Sequence, residues 1–301
     1  MKKRLLVIGD AGVRLRLQCT RLPYAGEKAD GTKYAYSPDC RAGAAALCAA
    51  RMGVESVLLS KVGSDSNGTK LVSVLSGMGV DTRFTVRDKS AATSLTVMID
   101  EDAADTRMIR YKGASANLTS ADVEEAFNCY PDGVLLRLEG SKDAAAAAEK
   151  FAADKGIPVY VSAADIENAA SVHLPKKMDI FVGDAKSVLA LTEIAPSNPD
   201  SSLRAACELC RRSSAENIIF RMNGGSIYVY DGKFGRILDT ASKGHFFCDV
   251  FAPALVTEYL RCGNILASAR FALAATSLWE ACGETLDNVP TTAEVRRDAD
   301  L

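Results

Sequence analysis

Two cysteines stand at a spacing that redox and metal sites use. Cys207 and Cys210 form a Cys-x-x-Cys pair. Leu203 and Ala206 recur at helical intervals with them, which places all four residues on one face of a helix. No second ligand pair follows, and His173, one of two histidines, has no partner nearby in the sequence. The pattern therefore favours core packing of this helix over a metal site.

A glycine-containing segment near the start has the spacing of a dinucleotide-binding loop. Gly9 and Gly12 follow the apolar run from Leu5 to Ile8. Such a loop leads directly into a helix, whereas the residues from Arg14 to Leu17 alternate polar and apolar side chains as a strand does. We therefore discount dinucleotide binding here.

The composition limits the class of protein. The 301 residues are 48% hydrophobic and 25% charged, which suits a globular chain with a large core. Lys and Arg number 36 against 38 for Asp and Glu, so no basic field exists to hold nucleic acid. The nine scattered cysteines are typical of reduced cytosolic thiols, and the first apolar run is too short for a signal peptide or a membrane span. We expect a cytoplasmic protein without nucleic-acid or membrane partners.

Short runs rich in Val, Ile and Leu alternate with longer helical patterns. This alternation predicts a mainly parallel, buried sheet with helices on both faces. The predicted strands are Leu5 to Ile8, Val57 to Leu59, Val134 to Leu138, Pro158 to Val161, Asp179 to Val182 and Ile218 to Phe220. Residues 11 to 36 and 91 to 113 contain β-type segments with polar turns, which predict a small β-sheet flap. We expect one domain over residues 1–301, without a second domain.

Several short motifs stand in the order and spacing of a known family. They are Leu22-Pro23 with Gly26-Glu27, Lys61-Val62-Gly63-Ser64-Asp65 with Gly68, Gly113-Ala114, Asp239-Thr240 with Gly244, and Pro290-Thr291. On these motifs the chain resembles the ribokinase-like (PfkB) carbohydrate kinase family over nearly its full length. The resemblance implies an α/β fold, a three-layer α/β/α ribokinase-like (Rossmann-like) domain with a small β-sheet flap. It also implies phosphoryl transfer from ATP with Mg²⁺ to a hydroxyl, and a homodimer formed through the flap.

The C-terminal motif departs from the family's Asp-Thr-x-Gly-Ala-Gly-Asp pattern. The residues that match the family are Asp239, Thr240 and Gly244. Ser242 and Lys243 replace Gly-Ala, where the resemblance implies backbone amides that face the phosphoryl oxygens. His245 stands at the position of the catalytic Asp, the base of the family. An unperturbed imidazole titrates near neutral pH, so His245 is either an altered base or a histidine that closes a disused site. We favour the second interpretation.

The predicted substrate side departs as well. Arg14 stands where the family has an Asp that holds sugar hydroxyls. The family's Gly-Gly-Lys-Gly-Ala-Asn segment reads Asp39-Cys40-Arg41-Ala42-Gly43-Ala44, so Ala44 replaces the hydroxyl-binding Asn. Each sugar hydroxyl left unpaired would cost about 1–3 kcal/mol. Arg14, Asp39 and Arg41 either suit a charged ligand or pair with one another and fill the cleft, and we favour the pairing.

The predicted nucleotide side is altered too. The family's Asn-x-x-Glu element, which organises Mg²⁺, reads Gly183-Asp184-Ala185-Lys186 here. Lys186 cannot organise a cation, and Asp184 is either a substitute ligand or an ordinary helix N-cap. We therefore predict no dedicated metal site. The other predicted nucleotide-side residues are Arg221, Asn223, Gly225, Asp239, Thr240 and Ala272.

Two functional hypotheses follow from these departures. The first is a degenerate, pseudokinase-like member that keeps the fold, catalyses weakly or not at all, and binds a sugar-like or charged ligand or acts as a scaffold. The second is an active small-molecule kinase that uses ATP and Mg²⁺, with Lys243 on the phosphates and His245 or Asp249 as the base. Departures on the sugar, metal and base sides would need several compensations at once, so we favour the first.

Overall fold

Two β-sheets and nine helices make up the described part of the chain. The structure is a computed structural model that describes residues 2–37, 41–101, 106–240, 247–283 and 285–299. In chain order the strands are β1 (Arg4–Ile8), β2 (Gly12–Cys19), β3 (Gly31–Ser37), β4 (Glu55–Gly63), β5 (Thr85–Asp88), β6 (Ser94–Glu101), β7 (Arg107–Tyr111), β8 (Gly133–Arg137), β9 (Val159–Ala163), β10 (Lys177–Gly183), β11 (Ser214–Arg221), β12 (Ile227–Tyr230) and β13 (Gly235–Leu238). The helices are α1 (Ala42–Arg51), α2 (Ser66–Gly77), α3 (Ser120–Ala126), α4 (Lys142–Lys155), α5 (Ala185–Thr192), α6 (Pro199–Arg212), α7 (Phe247–Cys262), α8 (Ile265–Ala281) and α9 (Thr292–Asp298).

The main sheet has the strand order β13-β12-β11-β10-β9-β8-β1-β4-β5. The strands from β11 to β5 pair in parallel, and β12 and β13 add an antiparallel edge. β1 lies between β4 and β8, so its backbone is paired on both sides. The prediction of a mainly parallel sheet is confirmed. A hairpin turn that contains Asn223-Gly224 joins β11 to β12.

Strands that are apolar on both faces explain the three layers. Leu5 and Val7 in β1 pack into the core formed with α1, α7 and α8. Leu6 and Ile8 point the other way, into the core formed with α3, α4 and α6. Because successive side chains of a strand alternate between faces, a continuous apolar run buries both faces of the sheet.

The flap is a separate four-stranded sheet with the order β3-β2-β6-β7, which we call the flap sheet. Its register places Leu15 beside Val97, and Val97 beside Ile109, on one face. Arg14 and Arg110 lie on the opposite face, with Thr96 between them in the register. The first face of the flap sheet is therefore mainly apolar, with Arg107 at its edge, and Arg14 and Arg110 lie on the other face.

Two further expectations can be compared with the structure. Eight cysteines lie in the described ranges and all are free, while Cys40 falls outside those ranges. Among the described helices, none is both long enough and apolar enough to cross a bilayer.

Candidate functional site

The carboxyl ends of β1 and β8 bring charged residues together beneath the flap sheet. Asp10 follows β1, Arg137 ends β8, and Glu139 stands two residues later. Neighbouring parallel strands end at the same edge of a sheet, so these side chains meet. Gly9 makes the approach possible, because a Cβ there would lie 2.7 Å from the Cβ of Arg137.

Arg137 lies at the bottom of this site, with its side chain fully buried. Its Nη2 donates to Asp249 Oδ1 at 3.0 Å and to Glu139 Oε1 at 3.2 Å. Its Nη1 donates to the carbonyl oxygen of Cys248 at 2.7 Å. These bonds tie the end of β8 to the first turn of α7, where Asp249 lies.

Arg14 and Arg41 meet carboxylates that sequence reasoning did not place beside them. Arg14 on the flap sheet lies 3.5 Å from Asp249 Oδ2. Arg41 precedes α1 and contacts Glu139 Oε1 and Asp165 Oδ2, each at 3.3 Å. Both arginines therefore contact acids from other elements. Asp39 and Cys40, predicted to lie with them, fall outside the described residues.

Arg110 on β7 reaches down from the flap sheet to the same site. Its Nη2 donates to Asp10 Oδ2 and to the carbonyl oxygen of Glu139. Two buried polar atoms here, Arg110 Nε and Asp10 Oδ1, have no hydrogen-bond partner among the residues that the structure describes. We call the connected set the arginine network. It comprises Arg14, Arg41, Arg110, Arg137, Asp10, Glu139, Asp165 and Asp249.

The two acids that contact Arg137 have pKa values displaced in opposite directions. Burial alone would raise the pKa of Glu139, but the attraction of Arg137 and Arg41 outweighs it and lowers the pKa. Burial raises the pKa of Asp249, and contacts with Arg137 and Arg14 oppose that rise without cancelling it. The guanidinium of Arg137 loses solvation, yet Glu139 and Asp249 raise its pKa above the ordinary value. Arg137 is therefore always charged, and it needs both carboxylates as partners.

The C-terminal motif is described only at its two ends. Ser242, Lys243, Gly244 and His245 fall outside the described residues, between Thr240 and α7. Asp239 is exposed and accepts a hydrogen bond from Ser226 Oγ at 3.2 Å. Asp249, the next carboxylate along the chain, belongs to the arginine network.

The residues at the position of the family's magnesium-organising element, Gly183 to Lys186, have other partners. Asp184 caps α5, accepting from the backbone of Ser187 at 2.6 Å and from that of Asp165 at 2.8 Å. Burial raises its pKa, which disfavours the charged form that a cation needs. Lys186 is an exposed residue that pairs with Glu167 at 2.8 Å. These residues do not fit a magnesium site, and no described group of three or more His, Cys, Asp or Glu could hold a metal ion.

The remaining nucleotide-side residues lie at the hairpin edge and in one helix. Asn223 bonds to the loop after α5, through Pro196 O and Ser197 Oγ. Gly225 has a φ of 95° in the turn, a conformation that favours glycine. Arg221 ends β11, and its burial lowers its pKa. Ala272 in α8 is buried, and on the predicted substrate side Ala44 in α1 is mostly buried as well.

Sequence reasoning did not name five members of the arginine network. These five residues are recognised as neighbours only when the strands are in register. They are Asp10, Arg110, Arg137, Glu139 and Asp165. One signal was available, because Arg137 interrupts the apolar run from Val134 to Leu138. An arginine inside a buried strand requires a buried partner.

Comparison with known proteins agrees with this architecture along the whole chain. The profile of the pfkB family carbohydrate kinases matches residues 2–291. Ribokinase from Bacillus subtilis strain 168 is 24% identical over 298 residues, which cover 97% of this chain and 98% of that protein. The structure of Arabidopsis thaliana ribokinase complexed with ribose and ATP superposes with a TM-score of 0.83 at 17% identity, covering 100% of both chains.

A third neighbour is ribokinase from Cryptococcus neoformans var. grubii serotype A in complex with ADP. It superposes with a TM-score of 0.80 at 17% identity and covers 99% of each chain. At this identity the structural likeness shows the fold, and the profile match shows the family. The chain belongs to the pfkB family of carbohydrate kinases, with a ribokinase-like fold.

Proposed function

We propose that this family member binds a small hydroxylated ligand beneath the flap sheet and transfers phosphoryl groups very weakly or not at all. One observation carries the proposal. The Asp249 carboxylate is held by Arg137 at 3.0 Å and by Arg14 at 3.5 Å. No other acidic residue lies between Asp239 and Asp249. A general base needs a lone pair that faces the acceptor hydroxyl, and both oxygens of Asp249 already face arginines.

The alternative is an active kinase with ATP and Mg²⁺ as cofactors. It is supported by the retained Asp239, Thr240 and Gly244, and by the Arabidopsis ribokinase that is complexed with ribose and ATP. It would use Lys243 on the phosphates and His245 or Asp249 as the base. The other partners that Asp184 and Lys186 already have weigh against this alternative.

Phosphoryl transfer can be tested directly. Purified protein with Mg-ATP and a panel of D-ribose, adenosine and D-gluconate is assayed for ADP formation, with Bacillus subtilis ribokinase and D-ribose as the positive control. We expect no ADP formation above that without acceptor, and the same result for His245→Ala and Asp249→Asn. Acceptor-dependent turnover that either substitution abolishes would establish the kinase and refute this proposal.

Nucleotide binding is measured separately from turnover. A ligand present at about a hundred times its dissociation constant adds about 2.7 kcal/mol to stability, which raises the melting temperature visibly. We expect Mg-ATP to give no rise. A rise without turnover would mean that a nucleotide site has survived the loss of catalysis.

We also propose a cytoplasmic homodimer in which one domain, residues 1–301, pairs through its flap. The support is the outer face of the flap sheet, where Leu15, Leu17, Val97 and Ile99 are only partly buried. Tyr34 and Ile109 on the same face are 76% and 70% exposed. A mainly apolar, exposed sheet face of this kind is typical of a protein interface.

A further inference from the structure

The Cys-x-x-Cys pair of α6 does not lie where the sequence predicts it. The spacing predicts that Cys207 and Cys210 pack into the core together with Leu203 and Ala206. Ala206 is buried, but Cys207 is exposed, Leu203 is 43% exposed and Cys210 is half-buried. The prediction is therefore wrong for Cys207 and Leu203, because the buried residues of α6 follow a neighbouring stripe, Ser202, Ala205, Ala206 and Leu209. One thiol of the pair is open to solvent.

Both thiols face the same side of α6. Residues three apart on an α-helix have Cβ atoms about 5–6 Å from each other. Burial raises the pKa of the Tyr230 phenol on β12, and the nearby thiols of Cys207 and Cys210 raise it further. Cys210 Sγ donates to the carbonyl oxygen of Ala215 at 3.6 Å, which holds this thiol against the start of β11. The two cysteines therefore form a neighbouring dithiol on a regular helix.

A disulfide bond does not fit this spacing. Its two Cβ atoms must lie about 3.5–4.5 Å apart, so oxidation would have to unwind the end of α6, which is helical to Arg212. Both cysteines are free. A single atom bonded to both sulfurs spans the longer distance between the Cβ atoms and leaves the helix intact. The geometry therefore favours a bridging atom over a sulfur–sulfur bond.

The surroundings of the pair restrict the bridging atom further. Between the two cysteines, Glu208 already pairs with Arg211 and Arg212. Within the described ranges, no third Cys, His, Asp or Glu joins the pair in a metal-binding group. Structural zinc takes four such ligands, whereas a soft monovalent ion is satisfied by two thiolates. Among the metal ions that thiolates select, copper(I) is the one that accepts two-coordinate binding.

We propose that Cys207 and Cys210 bind one copper(I) ion between their sulfur atoms on the surface of α6. On binding, both S–H bonds break, two Cu–S bonds form, and two protons pass to solvent. The copper stays monovalent, so no oxidant or reductant is consumed. The bound group carries one negative charge, and Arg204 is an exposed cation one turn before Cys207 on the same helix.

This site is distinct from the arginine network. Cys210 contacts the residue that follows Ser214, where β11 begins, whereas the network lies where β1 and β8 end. In a parallel sheet these are opposite edges. The inference therefore goes beyond the proposed function and does not depend on ligand binding beneath the flap sheet or on phosphoryl transfer.

Competition for copper(I) tests the site. Reduced full-length protein is added, with oxygen excluded, to the coloured complex of copper(I) with bicinchoninate, and the loss of colour measures the copper that the protein removes. We expect the pair to bind one copper(I) and to release two protons. Cys207→Ser and Cys210→Ser should each weaken this binding at least a hundredfold, because one sulfur remains. Cys262→Ser removes another exposed thiol, at the end of α7, and is the matched control that should change the affinity less than twofold.

Two further measurements address the geometry. Circular dichroism should show no loss of helix when copper(I) binds, because a bridging atom leaves α6 intact. Oxidised glutathione should join Cys207 to Cys210 at least tenfold more slowly in the native protein than in the chain unfolded by urea. Mass spectrometry follows that reaction in the tryptic peptide of residues 205–211, which contains both cysteines.

Several results would overturn the inference. They are copper(I) affinity that is unchanged in Cys207→Ser or in Cys210→Ser, and a disulfide that forms as fast in the native protein as in urea. Zn²⁺ binding as tight as that of copper(I) would mean that further ligands join the pair, and would refute a site of two sulfurs.

Discussion

At the scale of residues, the site depends on a buried arginine that joins two distant parts of the chain. Arg137 and Asp249 are 112 positions apart and lie 3.0 Å from each other. Burial of such a pair adds little net stability, but removal of one partner leaves the others charged and without water. The network therefore tolerates little change at Arg137.

Arg137→Met tests this dependence. The substitution leaves Glu139 and Asp249 without their shared partner, and we expect the free energy of unfolding to fall by about 3–5 kcal/mol. Urea denaturation followed by circular dichroism measures the change. Arg211→Ala, which removes an exposed pair with Glu208, is the control and should change stability little. Equal effects of the two substitutions would show that Arg137 is not critical.

At the scale of elements, the flap sheet depends on the close approach of its two neighbouring strands β2 and β6. These strands pair in parallel from Gly12 and Ser94 onward. A Cβ at position 12 would lie 2.4 Å from the carbonyl oxygen of Ser94, a backbone atom that cannot move alone. The lack of a side chain at Gly12 therefore allows the first residues of the two strands to lie this close together.

Gly12→Ala should lower the free energy of unfolding by about 1–3 kcal/mol through this overlap. Gly77→Ala is the matched control, because Gly77 ends α2 with open space around its Cα and no positive φ. It should be neutral or stabilise by about 0.5 kcal/mol. Thermal and urea unfolding of both variants measure the difference. A Gly12→Ala protein as stable as Gly77→Ala would contradict the tight packing.

The elements were predictable from the sequence because their signals are local. Ser141 and Gly156 mark the start and the end of α4, and the apolar run at Leu5 is a buried strand. β5 was not predicted, since Thr85–Asp88 is short and charged at its end. The network was not predictable, because its contacts join residues of different elements that are up to 235 positions apart in the sequence. Only the arginine within an apolar run hinted at it.

At the scale of the whole molecule, the flap sheet separates two surfaces. Its inner face sends Arg14 and Arg110 to the network, and its outer face presents aliphatic and aromatic side chains. Successive side chains along each strand point to opposite faces, so the same strands supply both surfaces. The outer face is the one proposed for self-association.

Ile109→Asp tests the association. Ile109 is 70% exposed, so the monomer should tolerate aspartate there, while an apolar interface should not. Light scattering coupled to size-exclusion chromatography should give twice the 32.0 kDa chain mass for the original protein and the chain mass for the variant. Leu189→Asp, on α5 and 45% exposed, is the control and should remain dimeric. A monomeric original protein, or a dimeric Ile109→Asp, would refute the flap interface.

The position of β1 in the main sheet has a consequence for folding. β1 ends at Ile8, and β8, one of its two neighbours, begins at Gly133. During synthesis β1, which is apolar from Leu5 to Ile8, is therefore made long before β8, and one of its edges stays uncovered until that strand has been translated. Strand pairing that forms this late between distant segments slows folding. In the meantime the unpaired edge of β1 can pair with other chains. Recovery of folded protein should therefore depend on translation speed and chaperone supply more than on the final stability of the sheet.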